Sequence, residues 1–205
     1  MKKIFIILML GMVLVQCGTK KQKQDEKTKL SEEELMTRVQ KQTFNYFWDG
    51  AEPESGMARE RIHMDGVYPQ NDQDIVTSGG SGFGLMAILV GIERGFISRE
   101  EAVNRYQKIV DFLEKADRFH GAWPHWMNGK TGKVKPFSKK DDGGDLVETA
   151  FLMQGLLTIA EYFRDGNEEE KQLVSDINEL WREVEWDWYT RGGEDVLYWH
   201  WSPNY

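Results

Sequence analysis

Residues 139–157 read KKDDGGDLVETAFLMQGLL, and the second half of this stretch is apolar on every side. A helix without a polar face is buried all round. Asp145 stands where the N-cap of such a helix belongs, and Glu148 follows three positions later, so both side chains lie on one helix face. The stretch therefore predicts a buried helix that begins with acidic residues.

These acidic residues have two interpretations. Asp followed three positions later by Glu is a capping box, in which Asp145 accepts from the helix backbone and Glu148 reaches back to the cap. Asp141 and Asp142 precede the Gly143-Gly144 turn and take no part in such a box. Four acids close to one helix start also indicate acid–base chemistry or the binding of sugar hydroxyls. The residues alone leave both interpretations open.

Buried and amphipathic helices alternate along the chain. A glycine-rich turn at residues 77–82 precedes an apolar helix over 83–92, as the Gly143-Gly144 turn precedes the apolar helix over 146–162. Capping boxes open three amphipathic helices, at Ser31, Ser98 and Asn167. The order of turn, buried helix and surface helix recurs after about 68 residues. This repeat predicts an all-α fold, an α/α toroid, with both glycine turns at one face, which we call the mouth.

Two aromatic segments, residues 119–129 and 197–205, follow amphipathic helices and so return to the mouth. Their candidate sugar-binding residues are Trp123, His125, Trp126, Trp199, His200 and Trp201. Aromatic rings bind sugar faces, but packing between helices explains any one of these Trp residues equally well. For the two histidines, a hydrogen-bonded structural role is the alternative.

Composition excludes some partners. The net charge is −8 at pH 7, and no basic stripe is interleaved with aromatic residues, so nucleic acid is not an expected partner. Asp72 and Asp74 could help to bind a cation, but the chain lacks a full ligand spacing around them, and solvated turn acids explain them better. We expect no metal and no cofactor.

The first 30 residues predict export and a lipid anchor. Residues 1–16 have the charged start and apolar stretch of a signal peptide. Cys17, the single cysteine, stands where a lipoprotein signal places its lipidated residue. Residues 17–30 are then a lipid-anchored tether, rich in Lys, Gln and Glu, and residues 31–205 are the folded domain. These features predict a bacterial envelope protein, in the outer membrane or the periplasm, attached to the membrane by lipid.

Four segments together resemble the glycoamylase-like domain of bacterial lipoproteins, close to glycoside hydrolase family 144. They are residues 77–95, 121–133, 136–157 and 197–205. The resemblance implies an (α/α)6 toroid and an inverting hydrolase that acts on β-1,2-glucan or its oligosaccharides. The chain shows only about the first five helices of such a toroid, so we expect it to be the N-terminal part and to be poorly folded or inactive alone.

The resemblance also assigns roles to the acidic residues. Asp141, Asp145 and Glu148 match the acidic cluster beside the sugar at the cleavage subsite, which implies catalytic or water-positioning roles for Asp145 and Glu148. Asp141 would bind hydroxyls, and Asp142 is a further candidate substrate ligand. Inverting glycosidases hold their two carboxyl groups about 6.5–9.5 Å apart. Asp145 and Glu148 are one helical turn apart, so the second catalytic carboxylate is expected beyond Tyr205.

Two other functions fit the same residues. A glycan-binding lipoprotein without catalysis would explain the abundance of Trp, of which there are eight. An α-glucan hydrolase of the same fold would differ in the linkage that it cleaves.

Overall fold

The computed structural model describes residues 30–204, so the predicted signal peptide, Cys17 and nearly all of the tether lie outside the described residues. Within this range the helices are α1 (Glu32–Trp48), α2 (Ser78–Glu93), α3 (Arg99–Lys115), α4 (Leu146–Phe163) and α5 (Glu168–Arg182). The short strands are β1 (Ile75–Thr77), β2 (Trp126–Asn128), β3 (Gly144–Asp145) and β4 (His200–Trp201). Strand β1 pairs antiparallel with β2, and β3 pairs antiparallel with β4.

The helices form two layers. The apolar helices α2 and α4 pack side by side. They run parallel, since Gly79 contacts Glu148 and, three residues further along both helices, Gly82 contacts Phe151. The amphipathic helices α3 and α5 lie outside them, and α1 packs against α2. Five helices in an inner and an outer layer are the predicted architecture, and the all-α toroid prediction is confirmed for this part of the fold.

Hydrogen bonds join the two repeats at residues in similar positions. Gly79 N–H donates to Glu148, and Gln107 donates to Asp176, and each pair is 69 residues apart. All three predicted capping boxes form, with a Glu three positions after Ser31, Ser98 and Asn167. These local motifs begin each outer helix where the sequence predicts.

The outer helices bury the apolar stripes that their sequences show. On α3 the buried residues are Ala102, Val103, Tyr106, Ile109, Val110 and Leu113, and on α5 they include Leu173, Ile177 and Leu180. Full burial of a Leu or Ile side chain contributes roughly 1.5–3 kcal/mol. These buried stripes therefore stabilise the packing of the outer helices on α2 and α4, which fixes the positions at which the inner helices begin.

The glycine-rich segments differ from the prediction. Residues 78–82 form the first turns of α2 rather than a turn before it. A Cβ added to Gly155 would lie 2.4 Å from the carbonyl oxygen of Gly82, so these glycines let α2 and α4 approach closely. Gly143 serves a similar purpose, since a Cβ there would lie 2.0 Å from the carbonyl oxygen of Trp201 in β4.

None of the helices within residues 30–204 combines the length and the apolar character that crossing a bilayer requires.

Candidate active site

Asp145 caps helix α4 as predicted. Its side chain is buried, and its Oδ1 accepts hydrogen bonds from the Glu148 backbone N–H and from the Trp199 indole N–H, both at 2.9 Å. The backbone N–H of Leu146 donates to the Trp199 carbonyl oxygen at 2.7 Å, and Asp145 is the strand partner of His200. The carboxylate is therefore held between the start of α4 and the segment that carries Trp199.

Glu148 does not complete the capping box that was one of the two interpretations of this pair. Its Oε2 accepts instead from the backbone N–H of Gly79 at 3.0 Å and lies 3.5 Å from the Thr77 hydroxyl oxygen. The parallel packing of α2 and α4 brings their N-termini together, and a Cβ on Gly79 would lie only 2.3 Å from Glu148 Oε2. Glu148 thus bridges two helix N-termini, where partial positive charge favours a carboxylate.

The two candidate histidines both face predicted acids. His125 Nδ1 lies 3.8 Å from Asp145 Oδ2. His200 Nε2 lies 3.0 Å from Asp141 Oδ1, although the atoms are not aligned for a hydrogen bond. These two contacts bring His125, His200, Asp141 and Asp145 together at the mouth. Both imidazoles are partly exposed. With Glu148 and Trp199 we call this group the acidic corner.

Packing contradicts one predicted substrate contact and partly covers another. Trp123 is fully buried, and its indole N–H donates to the Leu113 carbonyl oxygen at 3.1 Å, so it belongs to the core. Trp201 packs against the Trp188 ring, with centroids 5.7 Å apart, and is partly covered.

Asp142 accepts hydrogen bonds from the Ser202 hydroxyl and the Asn204 side-chain amide. Its carboxylate therefore holds the segment after β4, and its role as a substrate ligand stays a prediction. Trp199, in contrast, is 62% exposed, and Trp126 is partly exposed beside His125. These two rings remain candidates for contact with a sugar.

Three residues that support the corner were missed by sequence reasoning. Thr77 and Gly79 contact Glu148, and the Tyr189 hydroxyl donates to the Phe119 carbonyl oxygen at 2.7 Å beneath the corner. Burial and the nearby Asp145 raise the pKa of Tyr189, so its hydroxyl remains a donor at any physiological pH. The signal for Gly79 was the repeat itself, since Gly79 lies in the first turn of α2 and Glu148 lies in the first turn of α4.

The loop acids contact basic residues. Asp74 pairs with Lys130 at 2.8 Å, and Asp72 Oδ2 lies 3.6 Å from Arg61 Nε. Within residues 30–204, no group of three or more His, Cys, Asp or Glu residues is arranged to hold a metal ion. The chemistry that this part of the chain offers is that of carboxylates, imidazoles and aromatic rings.

Known proteins resemble this chain closely over part of their length. No family model matches the sequence. The chain is 53% identical over 177 residues to the exo β-1,2-glucooligosaccharide sophorohydrolase (non-reducing end) of Parabacteroides distasonis, a match that covers 85% of the chain and 24% of that protein.

Two solved structures share the fold. The endo-β-1,2-glucanase of Chitinophaga pinensis, in complex with sophorotriose and glucose, has 66% identity and a TM-score of 0.84 over 86% of the chain and 42% of that protein. The β-1,2-glucanase of Parabacteroides distasonis has 52% identity and a TM-score of 0.79 over 86% of the chain and 24% of that protein. The chain therefore spans less than half the length of these relatives.

Proposed function

We propose that the protein hydrolyses β-1,2-glucan or its oligosaccharides. The chain is homologous to the glycoamylase-like β-1,2-glucan hydrolases of the family 144 type. The resemblance predicted from four sequence segments is confirmed by relatives of 52–66% identity. The activity is proposed for the protein as a whole, because the chain spans 42% or less of these relatives.

The acidic corner is the observation that carries this proposal. Hydrolysis with inversion needs one carboxyl group to protonate the leaving oxygen and one carboxylate to activate water. Glu148 is fixed by the Gly79 N–H, which suits a carboxylate that accepts from water or from a sugar hydroxyl. Asp145 is held by two hydrogen bonds beside the exposed Trp199 ring and would position the sugar at the cleaved bond. Asp141, next to His200, would accept from further hydroxyls.

The second carboxyl group of the reaction is expected elsewhere in the protein. Asp145 and Glu148 are joined through the Glu148 N–H at one helix start, whereas an inverting pair is about 6.5–9.5 Å apart. We propose that Glu148 or Asp145 works with an acid outside residues 30–204. Removal of such an acid would abolish turnover while leaving the corner intact.

A panel of glucans tests the proposed activity. Release of reducing sugar would be measured from β-1,2-glucan, β-1,3-glucan, β-1,4-glucan and starch, with this chain and with a longer form of the protein that contains it in parallel. We expect the longer form to act on β-1,2-glucan alone. Cleavage of starch instead would favour the α-glucan hydrolase. Silence on all four, with retention on a β-1,2-glucan affinity gel, would favour the glycan-binding protein.

The location is a proposal that rests on the N-terminal sequence. We propose that Cys17 is lipidated after signal-peptide cleavage and anchors the protein in the bacterial envelope. Incorporation of labelled palmitate in wild type and in a Cys17→Ser variant tests this. Label in wild type that is absent from the variant supports the anchor, and an unlabelled wild type contradicts it.

A further inference from the structure

His120 lies in the turn that links Phe119 to Ala122, in the first aromatic segment but outside the acidic corner. Its φ is 51°, in the left-handed region that residues other than glycine rarely adopt, and Gly121 follows it with a φ of 77°. A Cβ on Gly121 would lie 2.1 Å from the Glu183 carbonyl oxygen, so the turn is packed closely against the segment after α5. None of the roles proposed above uses this imidazole.

The imidazole of His120 is packed against two aromatic rings. It stacks face to face on Trp188, with ring centroids 3.5 Å apart and planes within 8° of parallel. It also meets the Trp201 ring edge to face at 5.1 Å, and Trp188 and Trp201 contact each other at 5.7 Å. These three residues, which we call the imidazole stack, join the turn at His120 to strand β4.

One carboxylate faces the imidazole. Glu185 Oε2 lies 3.4 Å from His120 Nδ1, and the Glu185 backbone N–H donates to the His120 carbonyl oxygen at 3.2 Å. Within residues 30–204, the other charged groups on the elements packed around the ring form no ion pair with it: Arg118 and Glu183, which pair with each other, Asp187, and His200, which lies beside Asp141.

This environment favours the charged form of the ring. A histidine side chain changes its charge between about pH 5 and pH 8. A positively charged imidazolium is attracted both by a carboxylate and by the face of a Trp ring. The contacts of His120 with Glu185 and Trp188 therefore strengthen when the imidazole gains a proton.

Strand β4 connects the imidazole stack to the acidic corner. Trp201 and His200 form this strand, and His200 is the strand partner of Asp145. The residue before the strand, Trp199, donates from its indole N–H to Asp145 Oδ1 at 2.9 Å. The His200 ring lies 3.0 Å from an Asp141 oxygen. A displacement of Trp201 would therefore move the segment that carries Trp199 and His200.

We propose that His120 is a positioning residue for the acidic corner and acts through the Trp201 ring of β4. The charged imidazole holds Trp188 and Trp201 together, which keeps the Trp199 indole on Asp145, and loss of the proton loosens this arrangement. The expected effect on turnover rests on the proposed function, whereas the coupling of His120 to Trp199 does not.

Nuclear magnetic resonance of the Trp indole N–H groups tests the coupling. The protein, labelled at its Trp residues, would be titrated between pH 8 and pH 5, and a Trp199→Phe variant would identify the Trp199 signal. We expect that signal to shift as the His120 ring gains its proton. In His120→Phe, which keeps a flat ring on Trp188 without the charge, this part of the shift should be lost. The control is His63→Phe, the same substitution at a histidine that contacts Tyr68 instead.

Turnover of β-1,2-glucan by the longer form of the protein gives a second readout. The ratio of kcat for wild type to kcat for His120→Phe would be measured over the same pH range. We expect this ratio to rise about fivefold from pH 8 to pH 5, because the contacts with Trp188 and Glu185 gain strength with the charge. A ring with only a structural role would give a ratio that does not change with pH.

The outcomes separate this inference from the proposed function. Either a Trp199 signal that titrates identically in wild type and His120→Phe, or a constant kcat ratio, would overturn the positioning role while wild type still cleaves β-1,2-glucan. If wild type does not cleave β-1,2-glucan, the proposed function fails and the Trp199 signal alone decides the coupling. Thermal unfolding would show whether His120→Phe is folded. If it is not, Glu185→Gln, at a partly exposed side chain, should reduce the Trp199 shift, and a shift equal to that of wild type would overturn the inference.

Discussion

The starts of the two inner helices occupy equivalent places in the repeat but differ in chemistry. Helix α2 follows a buried Val76, has no side-chain cap bond from Thr77 and carries Gly79 in its first turn. Helix α4 has Asp145 as its cap and Glu148 in its first turn. Gly79 and Glu148 are 69 residues apart and are in contact. One repeat supplies the acid, and the other supplies the space and the N–H that hold it.

The candidate site is therefore a property of the contact between repeats. The close approach of α2 and α4 depends on Gly82 and Gly155, because the two backbones are too near at these positions to admit a Cβ. A carboxylate on α4 reaches the start of α2 because the helices are parallel and this near. Substitutions at the start of α2 should therefore affect the candidate site by displacing the Glu148 carboxylate.

The largest effect is expected from Glu148→Gln. Removal of a group that transfers or positions a proton reduces turnover by about 10²–10⁴-fold, whereas the free energy of unfolding should change by less than about 1 kcal/mol. The measurement is kcat on β-1,2-glucan beside urea unfolding. Glu161→Gln is the control on the same helix, where the side chain is exposed. Turnover above a tenth of wild type in Glu148→Gln would contradict the assignment.

A large loss of stability is expected from Gly82→Ala. The added Cβ would lie 2.2 Å from the Phe151 carbonyl oxygen, and backbone at that distance cannot move without separating α2 from α4. Overpacking of this kind costs about 1–3 kcal/mol and sometimes more, so we expect a decrease of about 3 kcal/mol in the free energy of unfolding. Urea unfolding measures it. A variant as stable as wild type would show that the helices are not packed this closely.

Gly79→Ala should reduce activity with little change in stability. The new Cβ would lie 2.3 Å from Glu148 Oε2, so the carboxylate must leave the Gly79 N–H. Ala is about 1 kcal/mol better than Gly in a helix, which offsets the lost hydrogen bond. Displacement of a reacting group by about 1 Å can cost about 100-fold, and we expect kcat to fall between about tenfold and that limit. Unchanged kcat in a folded variant would remove Gly79 from the site.

The outer helices offer a smaller, pH-dependent comparison. Glu101 and Glu170 close equivalent capping boxes, but Glu170 is buried and also accepts from Arg99, which lowers its pKa. A lowered pKa contributes stability above the ordinary carboxyl value, about 4.5, and this contribution is lost as the pH falls through the folded-state pKa.

Glu170→Gln should therefore cost about 1 kcal/mol at pH 7, close to the value of a helix cap, and less towards pH 3. Glu101→Gln, at the exposed position, is the control and should cost less. Urea unfolding between pH 3 and 7 measures both. A Glu170→Gln penalty that stays constant over this range would contradict the ion pair with Arg99.

Features that depend on neighbours in sequence were predictable, and features that depend on packing between segments were not. The caps at Ser98, Asn167 and Asp145 form as predicted because each needs only three following residues. The sequence left two interpretations of Glu148 open, because its hydrogen-bond partner, Gly79, comes from the previous repeat.

Aromatic residues show the same limit. Trp123 and Trp199 stand in similar segments after outer helices, yet one is fully buried and the other is 62% exposed. Trp123 is buried because its indole reaches the Leu113 carbonyl oxygen at the end of α3, whereas the Trp199 indole reaches Asp145 at the mouth. Residue type and spacing do not distinguish these two environments, since each depends on where a loop crosses a helix end.

The most direct test of the acidic corner is a crystal structure of the Glu148→Gln protein with a β-1,2-linked glucose oligomer. The account predicts a glucosyl ring within hydrogen-bond distance of residue 148 and Asp145, with Trp199 against the sugar. An oligomer bound elsewhere on the protein, with the corner filled only by solvent, would contradict the account.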